Sequence, residues 1–153
     1  MKENKILFPY NFKEMDNKTL EFVIQIYGGH ENVKITVFHA YAPIPEIITD
    51  KNSVMGNMSA NLHYLRQNLI EQENRMKEVR QHFLDQGFHS SQVNYLYLPK
   101  KRDLAMEILA LARDEAYQTI VLNRSGSVTG FFKASVFNKV VTSLKNVNIL
   151  IIT

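Results

Sequence analysis

The chain has 153 residues, of which 45% are apolar and 22% charged, with a formal net charge of +3. This size and composition predict a single globular domain, residues 1–153, and the absence of cysteine excludes disulfides, thiolate zinc sites and a cysteine nucleophile, as is usual in the cytoplasm. No apolar run approaches the roughly 20 residues that span a bilayer, and the basic residues are scattered, so we expect neither a membrane nor a nucleic-acid partner.

The chain opens with an apolar run followed by a helical pattern. Lys5–Tyr10 is a candidate buried strand, and residues 16–27 then change to a period of three to four. The predicted apolar face of this helix consists of Leu20, Val23, Ile24 and Tyr27. Asp16 or Asn17 can cap its start, and Gly28 follows its end.

A second strand and a long helix come next. Val33–Tyr41 is rich in β-branched and aromatic residues, and residues 42–57 form a predicted loop rich in proline, asparagine, serine and methionine. The helical pattern over 58–86 predicts a length of roughly 40 Å, so we expect its first turns to protrude or to lie over the loop. Its apolar stripe consists of Leu62, Leu65, Leu69, Met76, Val79 and Phe83. Core packing is the favoured role of this stripe, and a coiled-coil contact is the alternative.

The next elements follow the same alternation. Val93–Leu98 is a predicted strand, and Asp103 can cap a helix over residues 103–116. The predicted buried face of that helix consists of Leu104, Ile108, Leu111 and Ala112. Thr119–Leu122 is another short apolar strand, followed by a polar, glycine-containing loop over 123–134.

A helix that starts at Ser135 and a strand over Val147–Ile152 complete five strands and four helices in strict alternation. This order predicts an α/β fold of three layers, with a Rossmann-like, doubly wound parallel sheet and right-handed crossovers. Such sheets bind ligands beyond the carboxyl ends of their strands, where the strand order switches. Three segments that follow predicted strands lie at that edge: 11–15, 40–45 and 123–134.

The loop after the fourth predicted strand has the features of a phosphate site. Small residues let the backbone approach an anion, and a helix start offers free N–H groups and a positive dipole end. Its candidate binding residues are Asn123, Arg124, Gly126, Gly130, Lys133 and Ser135. In the alternative interpretation the glycines are turn residues and Ser135 is an N-cap.

Several segments together resemble one known family. They are KILFP at 5–9, VFHA at 37–40, TIVL at 119–122 with the glycine loop, SVFNKVV at 135–141 and VNILII at 147–152. The chain resembles the universal stress protein family over nearly its whole length. The resemblance implies a five-stranded, adenine nucleotide alpha-hydrolase-like fold and a homodimer in which strand 147–152 pairs with its counterpart.

Members of this family that bind ATP resemble one another in an aspartate after the first strand and a G-x2-G-x9-G-(S/T) loop. This chain has Asn11 in place of the aspartate and Asn123 in place of the first glycine. Gly126 matches the second glycine, but the next spacer, 127–133, has seven residues instead of nine, and Ala134 replaces the third glycine. Ser135 matches the final hydroxyl. The nucleotide motif is therefore eroded.

The erosion has a predictable energetic effect. Each lost hydrogen bond to a charged phosphate is worth about 1.5–3 kcal/mol. Two such losses would weaken a micromolar site to roughly 0.1 mM. Because Arg124 and Lys133 could supply compensating cations, weak ATP binding stays open, but we expect no tightly bound cofactor.

We therefore expect a dimeric interaction or regulatory module with a protein partner and without tight ATP binding. The alternative is an ATP- or AMP-binding stress-response regulator, whose site would be lined by Asn11, Ala40 and the loop residues. The sequence contains no nucleophile elbow and no paired carboxylates in a strand-end loop, so we expect no enzymatic activity. The spacing of the histidines predicts no metal site, and His39 is expected to be a satisfied, half-buried side chain.

Overall fold

The computed structural model describes residues 2–44, 55–124 and 138–153, which form a parallel sheet between helices. The elements are β1 (Asn4–Pro9), α1 (Glu14–Tyr27), β2 (Val33–Tyr41), α2 (Met55–Asp85), β3 (Val93–Pro99), α3 (Leu104–Asp114), β4 (Thr119–Asn123) and β5 (Asn148–Ile152). Residues 138–143 are also helical and are called α4. The strand order is β3-β2-β1-β4-β5, and every pairing is parallel, which confirms the predicted α/β architecture.

Two apolar clusters, one on each face of the sheet, hold the layers together. On one face, Ile6 and Phe8 of β1 pack with α1 and α2. On the other face, Leu7 of β1 packs with Phe38 of β2 and with α3 and α4. Adjacent strand residues point to opposite faces, so a strand that is covered on both sides is apolar throughout. The buried run Ile6–Phe8 in β1 has this pattern.

The first helix begins earlier than its apolar pattern suggested. It starts at Glu14, before both predicted caps, and Asp16 caps this start as the third helical residue instead of as the residue before the helix. Asp16 lies in the first turn, and its carboxylate accepts the backbone N–H of Lys13 from inside the helix. The predicted face is confirmed, because its three aliphatic residues are buried and Tyr27 is half-buried.

The long helix α2 has 31 residues, which corresponds to about 46 Å. It starts at Met55, so the last three residues of the predicted loop are helical. Its second half is anchored by buried Met76, Val79 and Phe83, whereas Leu65 in its first half is exposed, contrary to the prediction of one continuous buried stripe. The sheet still contacts the end of this half, because the Tyr97 hydroxyl donates a hydrogen bond to the Leu69 carbonyl oxygen at 3.1 Å.

The third helix has the predicted N-cap. The Asp103 carboxylate accepts a hydrogen bond from the backbone N–H of Met106 at 2.9 Å. Its buried face is rotated from the predicted one, because Ala105 and Ala110 are buried while Leu104 and Leu111 are only half-buried. The small alanines allow the helix to approach the sheet closely. None of the described helices is both long enough and apolar enough to cross a membrane.

Candidate functional site at the carboxyl edge of the sheet

The carboxyl edge of the sheet brings together four of the predicted site residues. Asn11 follows β1, Ala40 is the last residue but one of β2, Asn123 ends β4 and Arg124 follows it. The first three are half-buried, and Arg124 is exposed. The other predicted residues lie outside the described ranges; they are Gly126, Gly130, Lys133 and Ser135.

The strand order places a ligand crevice between β1 and β4. These strands are neighbours in the sheet, but the helices that follow them pack on opposite faces. Ligands of doubly wound sheets bind at this kind of switch point. Asn11 and Asn123 lie at the two sides of this crevice, as the sequence led us to expect.

A buried carboxylate spans the crevice. Asp16 is 4% exposed, and its Oδ2 accepts hydrogen bonds from the backbone N–H of Asn11 at 2.8 Å and of Lys13 at 3.1 Å. Its Oδ1 accepts a hydrogen bond from the side-chain amide of Asn123 at 2.7 Å, and the same amide nitrogen lies 3.2 Å from the Thr19 hydroxyl. The side chain of α1 thereby connects the turn after β1 to the end of β4.

This network changes what the crevice can bind. Two backbone N–H groups of the turn between β1 and α1, which could have held an external anion, already bind the carboxylate of Asp16. A phosphate held about 5 Å from that charge would be opposed by roughly 3 kcal/mol at the effective dielectric constant of such sites. The chain therefore supplies its own anion at this point.

Phe12 gives the turn after β1 its shape. Its backbone is left-handed, with φ of 59°, which costs a residue with a Cβ about 1–2 kcal/mol. This turn allows the N–H groups on both sides of Phe12 to reach the same oxygen of Asp16. Contacts of the ring with Tyr10, His39 and the guanidinium of Arg75, at 5.1, 4.8 and 4.5 Å, offset that cost.

His39 is buried beside this turn. Its Nδ1 lies 2.8 Å from the carbonyl oxygen of Tyr10, which can only accept, so Nδ1 carries the proton. The ring stacks on Tyr97 with 5.8 Å between centroids. Burial lowers the pKa of His39, an effect that the hydrogen bond to Tyr10 partly opposes. The expectation of a satisfied histidine is confirmed, and its burial is more complete than expected.

The lowered pKa of His39 predicts a stability that depends on pH. Below about pH 6.5 the unfolded chain takes up a proton on this histidine that the folded chain resists, so stability falls as the pH falls. His39→Asn keeps a donor for the Tyr10 carbonyl but cannot titrate. Urea unfolding at pH 7.5 and 5.5 is therefore expected to show a smaller loss for the variant than for the wild type. Equal losses would contradict this assignment, and the exposed His30 provides the control variant His30→Asn.

A groove of about 290 Å³ lies next to His39, between the end of β2 and the first half of α2. Its walls combine apolar Leu65 and Leu69 with the amides of Asn68 and Gln72. The volume is near the lower limit of small-molecule sites, which are typically about 300–1,000 Å³. The groove is thus large enough for a single planar ring system. Ala40, the neighbour of His39 in β2, packs with the cluster on the other face of the sheet.

Sequence reasoning missed Asp16, Thr19 and Phe12 as parts of this site. One signal was present for Asp16, which is in phase with the apolar face of α1, four residues before Leu20. A charged residue on a buried face needs partners, and here they come from the turn and from β4. No group of acidic and histidine side chains among the described residues is arranged to hold a metal ion.

Comparisons with known proteins identify the architecture. No protein-family model matches the sequence, and no curated protein is significantly similar to it. Among solved structures, a universal stress protein from Archaeoglobus fulgidus in complex with dAMP aligns with a TM-score of 0.63 at 15% identity, over 100% of both chains. A universal stress protein in complex with cAMP gives 0.62 at 12% identity, over 100% of this chain and 98% of that one.

Universal stress protein UspA from Lactobacillus plantarum aligns with a TM-score of 0.65 at 15% identity, over 100% of this chain and 99% of that chain. Identities this low establish the fold and leave the ligand undetermined. The resemblance seen in the sequence agrees with the strand order, with the faces that the helices cover and with these full-length alignments. The chain has the fold of the universal stress proteins.

Proposed function

We propose that this protein is a divergent universal stress protein that acts as a dimeric interaction or regulatory module, without catalysis and without tight binding of ATP. The observation that carries the proposal is the occupied crevice between β1 and β4. Asp16 holds a negative charge there, fixed by two backbone N–H groups and by Asn123. A nucleotide would have to displace these bonds or place its phosphates beside that charge.

Calorimetric titration with Mg-ATP tests the proposal. Because the crevice holds its own anion and the loop motif is eroded, we expect a dissociation constant of roughly 0.1 mM or weaker. AMP and cAMP, titrated in parallel, measure how much the phosphate charge matters. A dissociation constant below about 10 µM for Mg-ATP would contradict the proposal, since that affinity needs roughly 7 kcal/mol of favourable binding.

The edge strand β5 supports the dimer. It ends the sheet, and Ile151 is 41% exposed. The Asn148 N–H and the Ile152 carbonyl bond towards β4, so in the alternating pattern of a strand the backbone groups of Ile149 and Ile151 point outwards. An apolar edge that no described strand covers is a template for pairing with another strand, and a second copy of β5 provides one.

Sedimentation measures the predicted dimer. We expect the wild type to be dimeric at tens of micromolar, and Ile151→Pro to be monomeric because it removes an outward N–H that β4 does not use. Proline is tolerated at such edge positions, and Ile151→Val, which keeps the N–H, is the matched control and should remain dimeric. A monomeric wild type would remove the argument from strand pairing.

A nucleotide-binding regulator is the second candidate. It is supported by the groove beside His39 and by the similar structures that contain dAMP and cAMP. In that case a base would occupy the groove beside His39, and AMP or cAMP would bind more tightly than Mg-ATP because fewer charges approach Asp16. The same titrations distinguish this candidate from the first.

A further inference from the structure

A second surface lies at the opposite edge of the sheet from β5. The face of β2 and β3 that is turned away from α2 forms an open cavity of about 600 Å³. We call this surface the β3 shelf; its floor consists of Thr36, Asn94, Leu96 and Leu98, and Leu111 of α3 forms its wall. Leu98 is 43% exposed, although both faces of a parallel sheet are normally covered by helices.

None of the described strands pairs with the outer backbone of β3, which runs beside this shelf. β3 is the last strand on its side of the sheet. The Gln92 carbonyl and the Lys100 N–H bond to β2, so the alternating pattern turns the backbone groups of Tyr95 and Tyr97 outwards. The outward carbonyl of Val93 accepts a hydrogen bond from Arg80 at 2.8 Å, which restricts any added strand to the part of β3 that follows it.

The charge around the shelf is positive. Its described lining includes Lys5, Lys34 and Arg80 against the one carboxylate of Glu115. Arg80 donates to backbone carbonyls of Val93 and Ser90, so these contacts do not neutralise its charge. Lys34 pairs with Glu3, but both side chains are about half exposed, and an exposed pair of this kind exchanges partners at little cost.

We propose that the β3 shelf binds an extended acidic segment of a partner protein, which adds alongside β3. Apolar side chains of the segment rest on Leu96 and Leu98, and carboxylates at the end of the segment nearest Val93 face Lys34 and Arg80. Backbone pairing provides the affinity and alternate side chains provide the selectivity, as in other strand additions. The inference rests on the proposed function as an interaction module and specifies the chemistry of the partner.

Binding of defined peptides tests the inference. The probe is a fluorescein-labelled peptide with a run of aspartate or glutamate at one end and leucine alternating with threonine over the rest, and the control probe has lysine at every acidic position. Fluorescence polarisation with the full chain should show binding of the acidic peptide alone, weakening as salt is added. Amide NMR shifts on binding should concentrate at Asn94–Leu98.

Two variants locate the site. Leu98→Asp should weaken the acidic peptide by about tenfold, because it loses apolar contact and gains a like charge. Lys34→Glu should weaken it by about fivefold or more, whereas Lys18→Glu, the same charge change at an exposed site on α1, should have little effect. Both altered side chains are about half exposed, so the variants should fold.

Several outcomes would overturn the inference. They are equal binding of the acidic and basic peptides, insensitivity to both shelf variants, or NMR shifts at another surface. If Leu98→Asp instead abolished dimer formation, the occupant of the shelf would be a second copy of the chain and the inference would be wrong. A failure here leaves the Mg-ATP titration and the test of β5 unaffected, so it is distinguishable from failure of the proposed function.

Discussion

Replacing Asp16 with alanine is expected to destabilise the fold by about 3 kcal/mol, because it leaves two backbone N–H groups and the Asn123 amide without their acceptor in a buried place. Urea unfolding measures this change. Glu14→Ala is the matched control, since Glu14 is an exposed carboxylate in the same helical turn and its loss should cost no more than about 0.5 kcal/mol. A loss below about 1 kcal/mol for Asp16→Ala would show that water replaces the carboxylate freely.

Asp16→Ala also tests whether the carboxylate of Asp16 excludes nucleotides. If the charge of Asp16 excludes nucleotides, Asp16→Ala should bind Mg-ATP more tightly than the wild type by about tenfold or more, despite its lower stability. Titration at a temperature where the variant is fully folded measures this gain. An unchanged affinity would assign the weak binding to the loop residues instead of to the carboxylate.

Phe83→Ala is expected to cost about 4 kcal/mol of unfolding free energy, the second large effect. The Phe83 ring is fully buried, meets Phe88 edge-on at 5.2 Å between centroids and belongs to the cluster that anchors α2. Its removal leaves a cavity that the sheet cannot collapse to fill, because the neighbouring strand residues are held by backbone pairing.

The opposite half of the same helix supplies the control. Tyr64 is 66% exposed, so Tyr64→Ala should change stability by no more than about 0.5 kcal/mol. Thermal or urea unfolding of both variants compares the two halves directly. Similar losses at the two positions would mean that the first half of α2 is covered in solution, for example by the coiled-coil contact that remained the alternative for its apolar stripe.

The two proposed interaction surfaces are compatible because they lie at opposite edges. The order β3-β2-β1-β4-β5 separates the outer strands by four strand spacings, about 19 Å. Dimer formation through β5 would leave both β3 shelves free at the outer ends of the assembly. Such a dimer would bind a partner with two acidic segments more tightly than one with a single segment, provided that the spacing matches.

Local sequence patterns predicted most of the fold. The alternation of apolar runs with helical periods gave every strand to within about one residue, and the Asp103 cap was also correct. The error in the buried stripe of α2 has a physical cause. A pattern reports which side chains share a face but not how closely another element packs against that face, and Leu65 in the first half of α2 is exposed.

The sequence by itself determined the alternating elements, the parallel α/β class and the presence of Asn11 and Asn123 at strand ends, because these depend on period and composition along the chain. Only the tertiary structure decided that Asp16 bonds to Asn123, which is 107 positions away, and that β3 and β5 are the edges. Contacts of this kind depend on which strands become neighbours. That choice comes from the packing of the whole sheet, so no local pattern encodes it.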